Sequence, residues 1–119
     1  MPDKRRTQRR YLLYYMRVYD SATRNQIGNM VDITPKGMMI VCDKPFPVGQ
    51  TIHLRLELSN EVAEKPFMEF NAHSKWCKPD VDPHMYNVGF EILDIAPEDA
   101  EIIRRINKEF GFRDNQPKT

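Results

Sequence analysis

The sequence has few cysteines and no long apolar run, and both absences narrow the class of protein. Cys42 and Cys77 are the only cysteines among 119 residues, and their wide separation gives neither a disulfide framework nor a Cys-x-x-Cys metal motif. No apolar stretch approaches the roughly 18 residues that a membrane span needs. The first residues lead directly into arginines, without the apolar segment of a signal peptide. We therefore expect a protein of the reducing cytoplasm that does not insert into a membrane.

Residues that could support catalysis or hold a metal form no recognisable pattern. His53, His73 and His84 have no spacing that joins them to either cysteine in a metal site. No Ser-His-Asp or Cys-His arrangement and no paired carboxylates stand out. The sequence therefore predicts no metal site and no cofactor, and it favours a protein that is not an enzyme.

Positive charge is concentrated at the N-terminus, although the formal net charge of the whole chain is only +1. Residues 1–10 hold five basic side chains and one acidic side chain, a local charge of +4 that leaves −3 for the remainder. A globally basic chain would indicate loose attraction to polyanions. A short basic cluster on a slightly acidic body indicates instead a local anion site or a basic tail.

Length and turn signals indicate one globular domain built from short strands. Six strands are predicted, at residues 11–19, 26–34, 38–42, 51–58, 68–76 and 86–93. Alternation of apolar and polar residues predicts that the buried face of the second strand carries Ile27, Val31 and Ile33. The same reasoning gives the fifth strand a buried face of Met68, Phe70, Ala72 and Trp76. Residues 78–83 are predicted to form a loop because they are rich in Pro and Asp.

A helix is predicted at the end of the chain. Pro97 suits a first helical turn, and the acidic residues after it favour the positive end of the helix dipole. An apolar stripe follows, formed by Ile102, Ile103, Ile106 and Phe110. The predicted fold is all-β: a six-stranded antiparallel β-barrel with a C-terminal α-helix. We divide the chain into a flexible basic segment (1–10), the barrel with its helix (11–112) and a disordered tail (113–119).

Two overlapping Arg-x-x-x-Arg pairs lie directly before the first predicted strand. They join Arg5 with Arg9 and Arg6 with Arg10. Arginine suits recognition of phosphate and guanine, because its planar fork donates two parallel hydrogen bonds and can stack on a base. Such a pair by itself is equally compatible with a solvated basic tail.

A second motif, Asp-x-Thr-x-x-Gly, ends the second predicted strand at Asp32, Thr34 and Gly37. Asp32 and Thr34 are two residues apart in an extended segment, so their side chains should project to the same side, where they can meet a base or a phosphate. Gly37 permits a positive φ in the turn and close approach of the backbone. An ordinary turn without any ligand is the alternative interpretation.

This pair of motifs resembles the PilZ family, whose pattern is Arg-x-x-x-Arg before the first strand and Asp/Asn-x-Ser-x-x-Gly at the exit of the second. The Val-Gly-Phe at residues 88–90, the strand order and the final helix extend the resemblance over about residues 5–110. Thr34 stands where the family more often has Ser. The resemblance implies a split-barrel PilZ-like fold and binding of the bacterial second messenger cyclic di-GMP.

The resemblance assigns the cyclic di-GMP site to both motifs, namely to Arg5, Arg6, Arg9, Arg10, Asp32, Thr34 and Gly37. We expect Arg6 and Arg10 to be the main donors, because Arg10 directly adjoins the first strand, with Arg5 and Arg9 as helpers. The implied function is a receptor whose basic arm, residues 4–10, becomes ordered on binding. The ordered arm would signal to an unidentified effector protein. The sequence does not fix the number of ligands bound or the oligomeric state.

Two other functions remain open. The chain could be a PilZ-like adaptor that binds proteins but no nucleotide. It could also be a small barrel that binds single-stranded nucleic acid through its basic arm and exposed aromatic residues, although a nucleic-acid partner is the less favoured alternative. Trp76 is interpreted mainly as a core or rim residue, with stacking on a guanine as the alternative.

Overall fold

The computed structural model describes residues 16–60 and 62–110, and the statements on structure that follow concern these residues. They form six strands and one helix. The elements are β1 (Arg17–Asp20), β2 (Gln26–Thr34), β3 (Gly37–Cys42), β4 (Thr51–Glu57), β5 (Phe67–Pro79), β6 (Tyr86–Asp94) and α1 (Pro97–Phe110). Strand one was predicted to begin at residue 11, and its first part lies outside the described residues.

The six strands close into an antiparallel barrel in the order β1-β2-β3-β6-β5-β4, with β1 paired to β4. This arrangement confirms the predicted all-β fold with a C-terminal helix. Inward-facing apolar side chains from all six strands fill the barrel. The largest of those that are fully buried are Phe70, Met30, Ile33, Ile40, Leu54, Leu56 and Met68. No helix among the described residues is long and apolar enough to cross a membrane.

Helix α1 packs chiefly against β2. The three isoleucines of its apolar stripe are buried, with Ile103 and Ile106 almost inaccessible to solvent. The first turn is held by the buried carboxylate of Asp99, which accepts a hydrogen bond from Lys65 Nζ at 2.6 Å. This bond, formed with the loop between β4 and β5, raises the pKa of Lys65. The last turn is held by Asn107, whose side-chain amide donates to the carbonyl oxygen of Ile33 in β2.

The predicted buried face of β2 is correct at Ile33 and wrong at Val31, because the strand contains a β-bulge. Met30 pairs with Ile40 and Asp32 pairs with Met39, which leaves Val31 as the extra residue. A bulge shifts every later side chain by one position relative to strict alternation. Met30 and Ile33 are therefore the fully buried residues of this strand, and Val31 is only partly buried.

A second irregularity makes the predicted position of Trp76 wrong. The register of β5 against β6 shifts between Ser74 and Trp76, so that Ser74 faces the interior and Trp76 faces outward. Ser74 is fully buried, while 37% of Trp76 is exposed. The Ser74 hydroxyl is satisfied inside the barrel, since it donates to Pro47 O at 2.7 Å and accepts from Gln50 N at 3.0 Å.

Strand β5 also runs further than predicted, to Pro79, so the expected loop starts two residues later. Lys78 and Pro79 still pair with β6, at Asn87 and Tyr86. Proline is tolerated at this position because it lies at the strand's end, where a missing N–H interrupts little of the ladder. The Asn87 amide donates to Asp80 Oδ1 at 2.9 Å and fastens the start of the loop to β6.

Candidate functional site

The Asp-x-Thr-x-x-Gly motif forms the tight connection between β2 and β3. Thr34 pairs with Gly37, and Thr34 Oγ1 accepts hydrogen bonds from the backbone N–H groups of Lys36 at 3.2 Å and Gly37 at 3.1 Å. The hydroxyl itself lies 3.5 Å from the carbonyl oxygen of Gly37. Hydroxyl side chains commonly stabilise turns in this way. Among the described contacts, Thr34 therefore builds the turn that follows Asp32.

Gly37 is required for space rather than for its backbone angle. The expectation of a positive φ at Gly37 was wrong: of the glycines in the described residues, Gly49 alone has one, at 88°. A Cβ atom on Gly37 would lie 3.0 Å from the carbonyl oxygen of Phe90 in β6. The absence of a side chain lets the start of β3 lie close against β6, and the nearby Lys36 carbonyl accepts a hydrogen bond from Ile92 N at 2.9 Å.

Asp32 and Thr34 lie on the outer side of β2, on either side of the buried Ile33. Both are partly exposed, as their spacing in an extended segment requires. The hairpin thus brings Asp32, Thr34 and Gly37 together at one edge of the outer surface. The four arginines predicted to complete the site, Arg5, Arg6, Arg9 and Arg10, lie outside the described residues.

Asp32 begins a row of residues that crosses the outer surface of four strands. Asp32 pairs with Met39, Met39 with Gly89, and Gly89 with Trp76. Adjacent strands are about 4.8 Å apart, so three steps place the backbone of Trp76 about 14 Å from that of Asp32. The row therefore has a carboxylate at one end, an indole at the other, and a flexible thioether between them.

The indole of Trp76 occupies the place where any residue other than glycine at position 89 would carry its side chain. A Cβ atom on Gly89 would lie 2.2 Å from Trp76 Cε2. Lys78 Nζ lies 5.4 Å from the centre of the Trp76 ring, within the range of a cation–π contact. The glycine of the Val-Gly-Phe segment thus seats an aromatic ring on the outside of the barrel. A lone glycine inside a strand pattern is the sequence signal for such close approach.

Exposed charges border this row on the side of the hairpin turn. Gly37 pairs with Glu91, which lies 3.7 Å from Lys75 Nζ. Both side chains of this ion pair are more than half exposed, so it contributes little to stability. Lys36 in the turn is also exposed. Cations and acceptors therefore lie together beside the apolar centre of the row.

A second polar cluster lies on the outer face of β4 and β5, and its members bond mainly to one another. His53 Nδ1 lies 2.9 Å from Asn71 Oδ1 and Nε2 lies 3.3 Å from Glu69 Oε1, so the protonated ring can donate to both oxygens. The hydrogen bond to Asn71 is the main reason that the pKa of His53 is raised. Arg55 Nε lies 2.9 Å from Glu69 Oε2 and, together with the hydroxyl of Ser21, lowers the pKa of Glu69. This cluster already satisfies its own charges, which makes it a weaker candidate site than the Asp32 row.

Metal binding has no structural support in the described residues, where no group of three or more His, Cys, Asp or Glu side chains could hold an ion. Cys42 is buried and Cys77 partly buried, and both are free thiols. Burial raises the pKa of the Cys42 thiol and so disfavours the thiolate that metal binding needs.

Comparison with protein families identifies the fold and the arrangement of motifs. The model of the PilZ domain family matches residues 3–109. The chain belongs to the PilZ family. The matched range contains the basic arm, the β2–β3 hairpin and nearly all of α1, as the two motifs predicted. PilZ domains are receptor and adaptor domains without a catalytic activity of their own.

The structure of this PilZ domain is also similar to a solved structure described as the Bacillus subtilis Inhibitor of motility (MotI/DgrA). The TM-score is 0.62 at 16% sequence identity, and the alignment covers 87% of this chain and 48% of that chain. At this identity the likeness shows a shared fold, and this chain spans about half the length of that protein. A comparison with curated proteins yields no match.

Proposed function

We propose that this PilZ domain is a receptor for cyclic di-GMP that signals through contact with another protein. The observation that carries the proposal is the row on the outer surface that joins Asp32 to Trp76 through Met39 and Gly89. It is polar at the hairpin, apolar at its centre and aromatic at its far end. Family membership supports the same class of ligand.

The chemistry of the row suits a guanine nucleotide. A carboxylate such as that of Asp32 can accept hydrogen bonds from the N–H groups of a guanine edge. An exposed indole offers a face on which a base can stack, a contact worth about 1–3 kcal/mol per base. Lys36 and Lys78 lie near opposite ends of the row and can attract phosphate without being buried. A ligand with two bases and two phosphates can use all of these groups at once.

The basic arm is the second half of the proposed site. Arg6 and Arg10 would donate bidentate hydrogen bonds to guanine or phosphate, with Arg5 and Arg9 beside them. Five positive charges within residues 4–10 repel one another, and a ligand with two phosphates would relieve that repulsion. Ordering the arm costs about 1–2 kcal/mol of backbone entropy per residue, so the affinity understates the contacts made. The ordered arm would be the signal that an effector protein reads.

Calorimetric titration with cyclic di-GMP, GMP and a single-stranded oligonucleotide tests the proposal. We expect cyclic di-GMP to bind in the micromolar range or tighter, about 8 kcal/mol or more, and GMP far more weakly. Equal affinity for the cyclic and linear ligands would contradict a dedicated site. Preferential binding of oligonucleotides of any sequence would support the nucleic-acid alternative instead.

One observation favours the adaptor function as a second candidate. The turn is complete without a ligand, because the Thr34 hydroxyl already accepts the N–H groups of Lys36 and Gly37. A domain that binds only proteins would need this motif for the turn alone. Absence of heat with all three ligands, combined with a normally folded protein, would support that function.

A further inference from the structure

The C-terminal end of α1 makes a hydrogen bond to the Asp-x-Thr-x-x-Gly motif of β2. Asn107 Nδ2 donates a hydrogen bond of 2.6 Å to the carbonyl oxygen of Ile33. Ile33 is the residue between Asp32 and Thr34, and its own side chain is buried in the core. This carbonyl belongs to the peptide group that joins Ile33 to Thr34, so the hydrogen bond helps to fix the course of the strand through the motif.

The hydrogen bond from Asn107 to Ile33 matters because β2 contains a bulge at Val31. The extra residue of a bulge has no cross-strand partner, and the strand bends at that point. The direction of β2 beyond the bulge must therefore be fixed by contacts of the residues that follow Val31. On one side these are the pairs that Asp32 and Thr34 form with Met39 and Gly37 of β3. The contact from Asn107 holds the same segment from the helix.

Asn107 is itself held firmly by the rest of the helix. It follows Ile103 by one helical turn and therefore lies on the same face, next to Ile106 in sequence. Both isoleucines are almost completely buried. At the other end of α1, Asp99 is fixed by Lys65. The amide donor thus belongs to a helix that is packed on the core and fastened at its first turn.

We propose that Asn107 is a positioning residue for the ligand site and that it couples the β2–β3 hairpin to α1. This proposal rests on the proposed function, because it takes Asp32 to face the ligand. Without the amide donor, the Ile33 carbonyl would need a new partner, since a partly buried carbonyl without one is costly. Rotation of that peptide group toward water would disturb the strand on both sides of Ile33, and a change in the strand at Ile33 would alter the direction of Asp32 relative to the row. Conversely, a ligand that binds Asp32 and shifts this segment of β2 would change the surroundings of Asn107 in the last turn of α1.

The first test compares Asn107→Ala with Ile102→Val, a mild core substitution on the same helix, at a side chain that lies beside Val62 and Ala63 of the β4–β5 loop. In the ligand-free proteins, Asn107→Ala should shift the backbone amide resonances of residues 32–37, and Ile102→Val should leave them in place. The affinity of Asn107→Ala for cyclic di-GMP should fall about three- to tenfold, the range of one net hydrogen bond. Equal effects of the two variants on these resonances and on affinity would reduce Asn107 to a structural residue and overturn the proposal.

The second test follows the side-chain NH2 resonances of wild-type Asn107 during titration with cyclic di-GMP. They should shift with the same saturation curve as the hairpin amides. Asn71 is the matched control, because its amide also donates to a fixed partner, Asp94 Oδ2 at 3.0 Å, at a place five residues along β5 from Trp76. Unchanged Asn107 resonances at saturation would overturn the proposed coupling between the β2–β3 hairpin and α1. If cyclic di-GMP does not bind at all, the proposed function fails, while the ligand-free spectra still decide whether Asn107 orients the hairpin.

Discussion

Asp32 and Thr34 belong to one motif, yet their surroundings give them different tasks. Thr34 is engaged with the N–H groups of the turn, whereas Asp32 lies at the head of the row that ends at Trp76. We predict that Asp32→Ala weakens cyclic di-GMP binding by about 1.5–3 kcal/mol, the value of a hydrogen bond to a charged group, without unfolding the barrel. Calorimetry and thermal unfolding measured on the same samples check this.

Two control variants separate the effect of the charge at Asp32 from the effect of the methyl group at Thr34. Asp32→Asn keeps the shape but removes the negative charge, so it should lose most of the same affinity. Thr34→Ser keeps the hydroxyl and removes a methyl group, and tighter binding would show that the methyl hinders the ligand. Wild-type affinity in Asp32→Ala would mean that the motif is only a turn.

The arginines of the arm should differ in their contributions. Arg6→Ala and Arg10→Ala are each expected to weaken binding by about 1.5–3 kcal/mol, because each removes charge-assisted hydrogen bonds. Arg10→Lys should restore only part of the loss, since an ammonium group cannot form the bidentate fork. Titrations at physiological salt measure these effects. Wild-type affinity in both alanine variants, with losses in Arg5→Ala and Arg9→Ala, would show that the other pair is the main one.

Local features of the candidate site could be predicted from the sequence, whereas features that depend on the fold could not. The resemblance to the PilZ motif pointed to Asp32, Thr34 and Gly37, and the structure places them together at the β2–β3 turn, while their part in ligand binding stays a prediction. Alternation put Trp76 on the buried face of the fifth strand, because it was continued through a register shift that has no local signature. Asn107 contacts a carbonyl 74 residues away, and no pattern within a helix indicates such a partner.

The bulge in β2 determines which face of this strand enters the core, and a pair of substitutions tests it. Met30→Ala should lower the free energy of unfolding by about 2–5 kcal/mol, as expected for a fully buried side chain. Val31→Ala should lower it by only about 1 kcal/mol or less, because Val31 is the extra, partly exposed residue. Denaturant titration of both variants measures the difference. A larger loss of stability in Val31→Ala than in Met30→Ala would support the strict alternation that the sequence predicted.

The sequence of β4 and of β6 alternates apolar and polar residues, and in these strands no interruption falls on the apolar face. In β4 the apolar residues Leu54 and Leu56 are buried, and in β6 Val88, Phe90 and Ile92 are. In each case the side chains keep their period of two across the barrel. Strands β2 and β5 break that period because an extra residue is inserted, and the insertion depends on pairing with another strand. Element types could therefore be predicted more reliably than the faces of bulged strands.

The stability of the whole barrel should depend on pH through the cluster that links β1, β4 and β5. The pKa of His53 is raised in the folded protein from an ordinary 6.5, chiefly by Asn71 and also by Glu69. Its contribution is fully present below pH 6.5 and is lost as the pH rises through the raised value. The pKa of Glu69 is lowered from 4.5, so its contribution is present above that pH and is lost as the pH falls through the lowered value.

We therefore predict that the unfolding temperature is lower at pH 8 than at about pH 5.5, and that His53→Gln reduces this difference. His73→Gln is the matched control, because His73 Nδ1 contacts the neutral hydroxyl of Thr51 at 2.9 Å. Thermal unfolding of the three proteins at both pH values measures the effect. An undiminished difference in His53→Gln would assign the pH dependence to other groups.

We propose that cyclic di-GMP binds across the outer row between Asp32 and Trp76. Trp76 is the only tryptophan in the chain, so its fluorescence reports on the far end of this row without any label. We predict a saturable change in Trp76 emission on titration with cyclic di-GMP, with a midpoint equal to the calorimetric one and shifted to higher concentration in Asp32→Ala. Calorimetric binding that leaves the emission of Trp76 unchanged would place the ligand elsewhere and contradict the claim.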